Sequence, residues 1–357
     1  MKSDINKFFI YSSIIITAVL LSCTDDPDIP EPTGTGYHDG VFVINEGNYG
    51  SGSGTLTFIK RDGTGLVQKV YQNSNTLMQL GNVVQSMNVI GDSAFIMVNN
   101  SNRIVVCHKY SMLEAATIED VEKPRYMVNL NDGRFAVSCW DNTVKIFETN
   151  SLSQTDEIET NTGPEKMLLL DDRLWILNQG GLSVDSTITI LNIQNGNKQS
   201  LQVYPRPTGS QGDADGNIWV MCSGRKDYHP GGFSPSHLIR IHPETLDITA
   251  DISIQGGEND AFDLEVDSDG NTLFYLFKGD VYSFEINDSV ASSQPFIDYL
   301  GSFYSLGYDP ADNALYASDA LDYAQNGVVY KYDATTGQQL FNFKASIIPG
   351  EYYFSIH

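Results

Sequence analysis

Apolar residues alternate with polar ones in short runs along most of this chain, and the runs come in answering pairs separated by turn residues. Seven paired runs open near Val41, Ala94, Phe135, Leu174, Ile218, Leu273 and Leu315, at spacings that average about 46 residues. A period of that size predicts β-propeller blades rather than a helical solenoid. The third repeat shows the unit. Strands are expected over 124–130, 134–139 and 143–148, with an outer strand ending at 158, and Asn131-Asp132-Gly133 makes the first tight turn. Four strands in roughly forty residues make one blade. No window of a dozen residues carries a sustained 3.6-residue period with caps, so helix content should be close to nil.

The two ends of the pattern complement each other. The first repeat, within 41–71, has three strands and lacks an inner one, whereas the chain finishes with PGEYYFSI at 349–356, an inner strand with nothing after it. The expected fold is therefore all-β, a seven-bladed β-propeller over 39–357. It is closed by pairing the C-terminal strand with the N-terminal three strands, which removes the open edges of a linear array.

Residues 1–22 carry Lys2 and Lys7 ahead of an apolar run and end Leu20-Leu21-Ser22-Cys23, which reads as a secretory leader. The last four residues resemble a bacterial lipobox, with Cys23 as the lipidated first residue of the mature chain. Residues 23–38, acidic and proline-rich, read as a solvated tether. The acidic start resembles the surface-export signal of Bacteroidetes lipoproteins, implying an outer-membrane, lipid-anchored domain facing the cell exterior. The net charge of −24 becomes −25 without the leader, because two lysines and one aspartate leave with it. That balance argues against nucleic acid and against anionic membrane surfaces. Contact with a membrane is expected only through the anchor, and the domain is expected as a monomer.

Several motifs reduce to scaffold chemistry. Cys107, Cys139 and Cys222 each sit in or at the end of a strand-like run without CxxC spacing, and read as small buried hydrophobes. Asp213-Ala214-Asp215-Gly216-Asn217 and Asp267-Ser268-Asp269-Gly270-Asn271 lack the distal glutamate of a calcium loop and fall where other blades place hairpin turns. The glycine-rich stretch 45–54 has no following lysine or helix to make a phosphate cradle. It reads instead as a long connection between second and third strands, as do 178–186, 223–236 and 318–327. His229 and His237 are weak metal candidates. No GxSxG, HExxH or spaced triad is present, so no catalytic residue, cofactor or metal is assigned.

In a propeller these connections and the leading positions of the inner strands share one end of the channel. The leading positions include Gln85, Arg125, Tyr126, Glu165, Lys166, Phe262, Phe303, Tyr304, Tyr352 and Tyr353; the connections add Tyr49, Trp140, Tyr228 and Tyr323. Such a rim suits a large ligand that is partly apolar and partly polar. The competing explanation is that these aromatics fill wedges between blades. Tyr49, Arg125, Tyr126, Trp140, Tyr228, Phe303, Tyr323 and Tyr352 are the candidate ligand-binding residues.

GVFVINEGNYGSGSGTLTF, LGNVVQSMNVIGDSAFIMVNNSNRIVV, YASDALDYAQNGVVYKYDATTG and IIPGEYY together resemble the YncE-like seven-bladed propeller lipoproteins of Bacteroidetes across nearly the whole mature chain. The GVFVINE opening is similar to a related branch, the BtuG-type surface lipoproteins. That likeness implies capture of a corrinoid or similar large nutrient and its transfer to a TonB-dependent outer-membrane transporter. This chain has GNYG where that branch carries a tryptophan and a charged residue. The alternatives are a protein-interaction platform that docks a transporter or another surface lipoprotein without a small ligand, and a lactonase-like hydrolase.

Overall fold

The structure, a computed structural model, describes residues 36–256 and 260–355. The expected leader, Cys23 and the tether as far as residue 35 lie outside the described residues. Seven antiparallel sheets stand around a central channel. The inner strands are Pro349–Ser355, Val84–Ile90, Pro124–Asn129, Pro164–Leu170, Pro207–Gly212, Ala261–Val266 and Ser305–Asp309, in blades 1 to 7 respectively. Each packs beside the next and the seventh packs beside the first, so the ring closes. Blades 2, 3, 4, 5 and 7 have four hydrogen-bonded strands; blades 1 and 6 have three.

Blade 1 forms by the expected closure. Pro349–Ser355 pairs with Gly40–Asn45, which pairs with Thr55–Lys60. The outermost N-terminal strand shrinks to one bridge, in which Phe58 and Val67 exchange two 2.8 Å hydrogen bonds. A five-residue helix, Val70–Ser74, follows and buries Val70 and Tyr71 between blades 1 and 2. It and the 3-10 turn Asn99–Ser101 are the only helical pieces among the described residues, none long and apolar enough to cross a membrane.

The burial of each strand follows its sequence. Second strands such as Ile218–Cys222 and Ala314–Asp319 are buried throughout because blades cover both faces. Gln154–Glu159, an outer strand rich in polar residues, is mostly exposed. Trp175, Trp219, Phe42, Phe95, Phe135, Tyr275 and Tyr316 are fully buried large side chains, so much of the aromatic content fills the blades and the wedges between them. Cys107, Cys139 and Cys222 are free and buried. Burial pushes the Cys107 thiol up to about 12. The Asp-rich segments are hairpin turns: Asp213 accepts from the Asn217 amide at 2.8 Å and from Trp219 Nε1 at 2.9 Å, and Asp267 accepts from the Asn271 amide at 2.8 Å.

A polar clasp crosses the seam between blades 1 and 7. Arg61, just past Thr55–Lys60, makes a bidentate pair with Asp309 at 2.7 and 3.2 Å and donates to the Ser355 carbonyl at 2.9 Å. The Asp309 side chain is fully buried. Removing the arginine leaves an uncompensated charge in a dry seam, which costs far more than the pair itself contributes. We therefore expect Arg61→Met to lower unfolding free energy by about 3–5 kcal/mol in urea at neutral pH. Adding Asp309→Asn to Arg61→Met should restore a substantial part of that loss; a strictly additive pair would show that the clasp is not coupled.

Candidate functional site

The inner strands begin out of register, and that irregularity builds the site. In blades 1 to 6 the pairing between inner strand and neighbour slips near the start: at Pro349/Glu351, Val84/Ser86, Pro124/Met127, Pro164/Met167, Pro207/Gly209 and Phe262/Glu265. In five blades the residue just ahead of the strand has positive φ: Ile348 at 54°, Val83 at 58°, Lys123 at 46°, Gly163 at 61° and Arg206 at 57°. For β-branched Val83 and Ile348 this conformation is strained. A bulge frees the skipped residues from the pleat and re-aims their side chains. The skipped residues are Gly350, Gln85, Arg125, Tyr126, Glu165, Lys166, Thr208, Asp263 and Leu264. All except the buried Leu264 line one cavity of about 640 Å³ at the channel mouth.

Glu46, Tyr49, Leu182 and Ser223 from the long connections and Trp140 from the short link 140–142 complete the wall, with Tyr304 from blade 7, so every blade contributes. Tyr126 and Lys166 also line a deeper chamber of about 260 Å³ and form the waist between the two.

The polar groups are held by one another before any ligand arrives. Arg125 Nε lies 3.1 and 3.0 Å from the two Glu165 oxygens, and Arg125 Nη1 donates to Gln85. The guanidinium sits 4.0 Å from the Trp140 ring centre, while Trp140 Nε1 donates to Glu165 at 2.8 Å. A Cβ at Gly181 would stand 3.8 Å from the same indole. Trp140 is thus a clamped wall rather than a free stacking surface. Gln85 donates to the Tyr126 hydroxyl at 3.2 Å. Across the mouth Tyr304 donates to Glu46 at 2.8 Å, and Asp260 receives Arg206 and Lys226, each at 3.0 Å.

Carboxylates outnumber cations around the waist. Lys166 lies 3.5 Å from Asp263 and 3.6 Å from Glu351, with Glu265 also acting on it. Burial works against the Lys166 charge, but Glu351 and Asp263 outweigh it and hold the ammonium well above its usual range. Burial raises Glu46 and Glu351, and drives Glu265 up to about 8 against the pull of Lys166. Among the described residues no three His, Cys, Asp or Glu side chains converge on a metal position.

The structure brings four of the eight candidate residues together at the mouth: Tyr49, Arg125, Tyr126 and Trp140. The other four lie elsewhere. Phe303 is buried in the wedge between blades 6 and 7, stacked on Tyr299 at 4.2 Å, and its neighbour Tyr304 takes the place at the mouth. Tyr352 points into the wedge against Tyr316 and Phe354 and borders only the deeper chamber. Tyr323 packs edge-on against Tyr304 at 5.6 Å, one layer outside the cavity. Tyr228 projects into solvent because Arg225 spends its donors on the carbonyls of Gly231 and Gly232, closing its own loop. Sequence reasoning misses Glu46, Arg206, Asp260 and Asp263: Arg206 and Asp260 stand just ahead of inner strands, Asp263 lies at the slip within one, and Glu46 follows the end of Gly40–Asn45, a position with no local signal.

A family profile described as a domain of unknown function, DUF5074, matches residues 39–355. No curated protein matches the chain. Among solved structures, a quinonprotein alcohol dehydrogenase-like protein from Bacteroides thetaiotaomicron is similar with TM-score 0.69 and 14% identity, over 90% of this chain and 79% of that one. A functionally unknown protein from Desulfotomaculum acetoxidans is similar with TM-score 0.64 and 11% identity, over 89% and 99%. The dihydro-heme d1 dehydrogenase NirN in complex with DHE follows with TM-score 0.59 and 9% identity, over 90% and 76%. At these identities the likeness is one of fold alone.

Glu265 gives the site a pH signature. Its carboxyl ionises near its ordinary 4.5 when unfolded and near 8 when folded, so the folded state holds the proton longer. Its contribution to stability is complete below the unfolded value and is lost as pH rises through the folded one. Glu265→Gln should therefore flatten the fall in urea midpoint between about pH 5 and 8. An unchanged pH dependence in the variant would show that Glu265 does not hold that proton.

Proposed function

This chain belongs to the DUF5074 family, whose description assigns no activity, and from its own geometry we propose that it is a ligand-capture propeller whose site is the channel mouth. The observation that carries the proposal is that all seven blades place a side chain on one cavity of about 640 Å³. A wall built from so many separate segments is preorganised by the scaffold, which lowers the entropic cost of holding a ligand. Tyr49, Tyr304 and Leu182 offer apolar contact, while Glu46, Asp260 and the Arg125–Glu165 pair offer hydrogen bonds and charge.

A corrinoid is the favoured cargo, on the resemblance of the opening and closing motifs to cobalamin-capturing lipoproteins. Transfer to a TonB-dependent outer-membrane transporter, from a lipid-anchored position at the cell surface, belongs to the same proposal. A second reading is supported by the rim itself: Leu182, Tyr49 and Tyr228 are 93%, 81% and 78% exposed on connections of the same class. Apolar side chains projecting around a mouth suit a protein partner docked over it.

Calorimetric titration separates the two. Cyanocobalamin or cobinamide should release or absorb heat with the protein at micromolar concentration, and Tyr304→Ala should weaken binding by about tenfold or more, because it removes a wall and leaves Glu46 without its donor. No heat from either corrinoid would remove that cargo. If deleting residues 226–232 abolishes co-purification of a transporter while titrations stay silent, the docking reading takes its place.

A further inference from the structure

Blade 6 ends early and leaves a strand edge open. Its sheet stops at Asp280–Glu285, where blades 2, 3, 4, 5 and 7 continue to a fourth strand. The place of that strand is touched once: Val281 and Ile297 exchange hydrogen bonds at 3.2 and 3.0 Å, and the Phe296 amide donates to the Val281 carbonyl at 2.8 Å. Since Val281 directs its backbone groups outward, alternation directs those of Ser283 and Glu285 the same way; the Glu285 carbonyl accepts from the Asp288 amide at 2.8 Å, which leaves the Ser283 groups and the Glu285 amide facing out. Among the described residues no strand pairs with them. Beside them lies a cavity of about 480 Å³ with Phe296 and Tyr308 in its wall. Blade 1 is also three-stranded, but there the Val67 bridge, the helix Val70–Ser74 and Gln68, bonded to the Lys344 carbonyl at 2.9 Å, cover the edge.

We propose that the edge at Asp280–Glu285 is a strand-addition site, which takes an extended, lysine- or arginine-bearing segment of another protein as the fourth strand of blade 6. Main-chain hydrogen bonds to Ser283 and to the Glu285 amide supply affinity, and side chains of alternate residues enter the cavity. Charge selects the occupant. Asp267, Asp269 and Glu285 line the cavity and no lysine or arginine does. Residues 23–35 of this chain carry four acids, no base and three prolines, so they are repelled and cannot donate a full ladder. A second copy would bring Asp280 and Glu285 of both chains to one seam.

The test uses the full-length protein and two synthetic peptides of about nine residues, one alternating lysine with valine and one alternating glutamate with valine. Backbone amide exchange is followed by NMR. At about 1 mM the lysine peptide should slow exchange at Ser283 and Glu285 by about tenfold or more, and the glutamate peptide should not. Ser283→Pro removes the outward donor at an edge position where proline is tolerated, so it should keep the thermal midpoint and lose the lysine-peptide effect. Glu285→Lys, equally at the edge, should weaken the lysine-peptide effect and strengthen that of the glutamate peptide. Unchanged exchange at both residues with the lysine peptide would overturn the proposal, as would equal slowing by the two peptides or full binding by a folded Ser283→Pro variant.

Discussion

A flat array of sheets has two free ends, and each free end presents unpaired backbone groups to water or to another chain. The pairing of Pro349–Ser355 with Gly40–Asn45 resolves that constraint, and the rest of the molecule depends on it. It fixes seven as the number of inner strands around the axis and sets the channel width. It also brings blade 7 against blade 1, where Asp309 meets Arg61 in a seam too dry to leave either ion alone. The blades themselves need little beyond apolar second strands covered on both faces, which is why sequence identity among propellers of this kind can fall to 9–14% while the fold persists.

The same closure explains where the chemistry gathers. Seven strand starts converge on one end of the axis; in five of them a slip in register exposes one or two side chains there, and in blade 1 it places Gly350. The mouth is thus assembled from residues that the pleat would otherwise have committed to a wedge. Its charges arrive with partners from other blades: Arg125 with Glu165 and Arg206 with Asp260 join adjacent blades, and Lys166 of blade 4 meets Asp263 of blade 6 and Glu351 of blade 1 across the channel. Such pairs tie blades together and hold the wall rigid, while burial, with a smaller push from neighbouring carboxylates, keeps Glu265 and Glu351 protonated to higher pH than free side chains.

Much of this is legible in the amino-acid pattern, for a physical reason. Alternation of apolar residues reports which strands are covered, and the solitary tail at 349–356 can only be the missing inner strand of the first blade. Arg125 and Tyr126 are legible because they follow a proline that marks a strand start. The choice between Phe303 and Tyr304 is not, because it turns on one residue of register: blade 7 starts without a bulge at Ser305, so Tyr304 reaches the mouth and Phe303 goes inward. Tyr352 fails likewise, since the slip at Pro349/Glu351 gives the mouth position to Gly350. The path of the 223–236 connection depends on Arg225 closing back on Gly231 and Gly232, which no local pattern announces.

The strand that completes the first blade is synthesised after every other strand of the ring. Val43 and Tyr352, partners in that sheet, are separated by nearly the whole domain. During translation, then, the earliest strands remain without their inner neighbour until residues 349–355 emerge, whereas blades 2 to 7 can each assemble from contiguous sequence. Maturation of this ring waits on that one strand, and a chain cut short before residue 349 would leave every other blade intact in sequence and the circle broken.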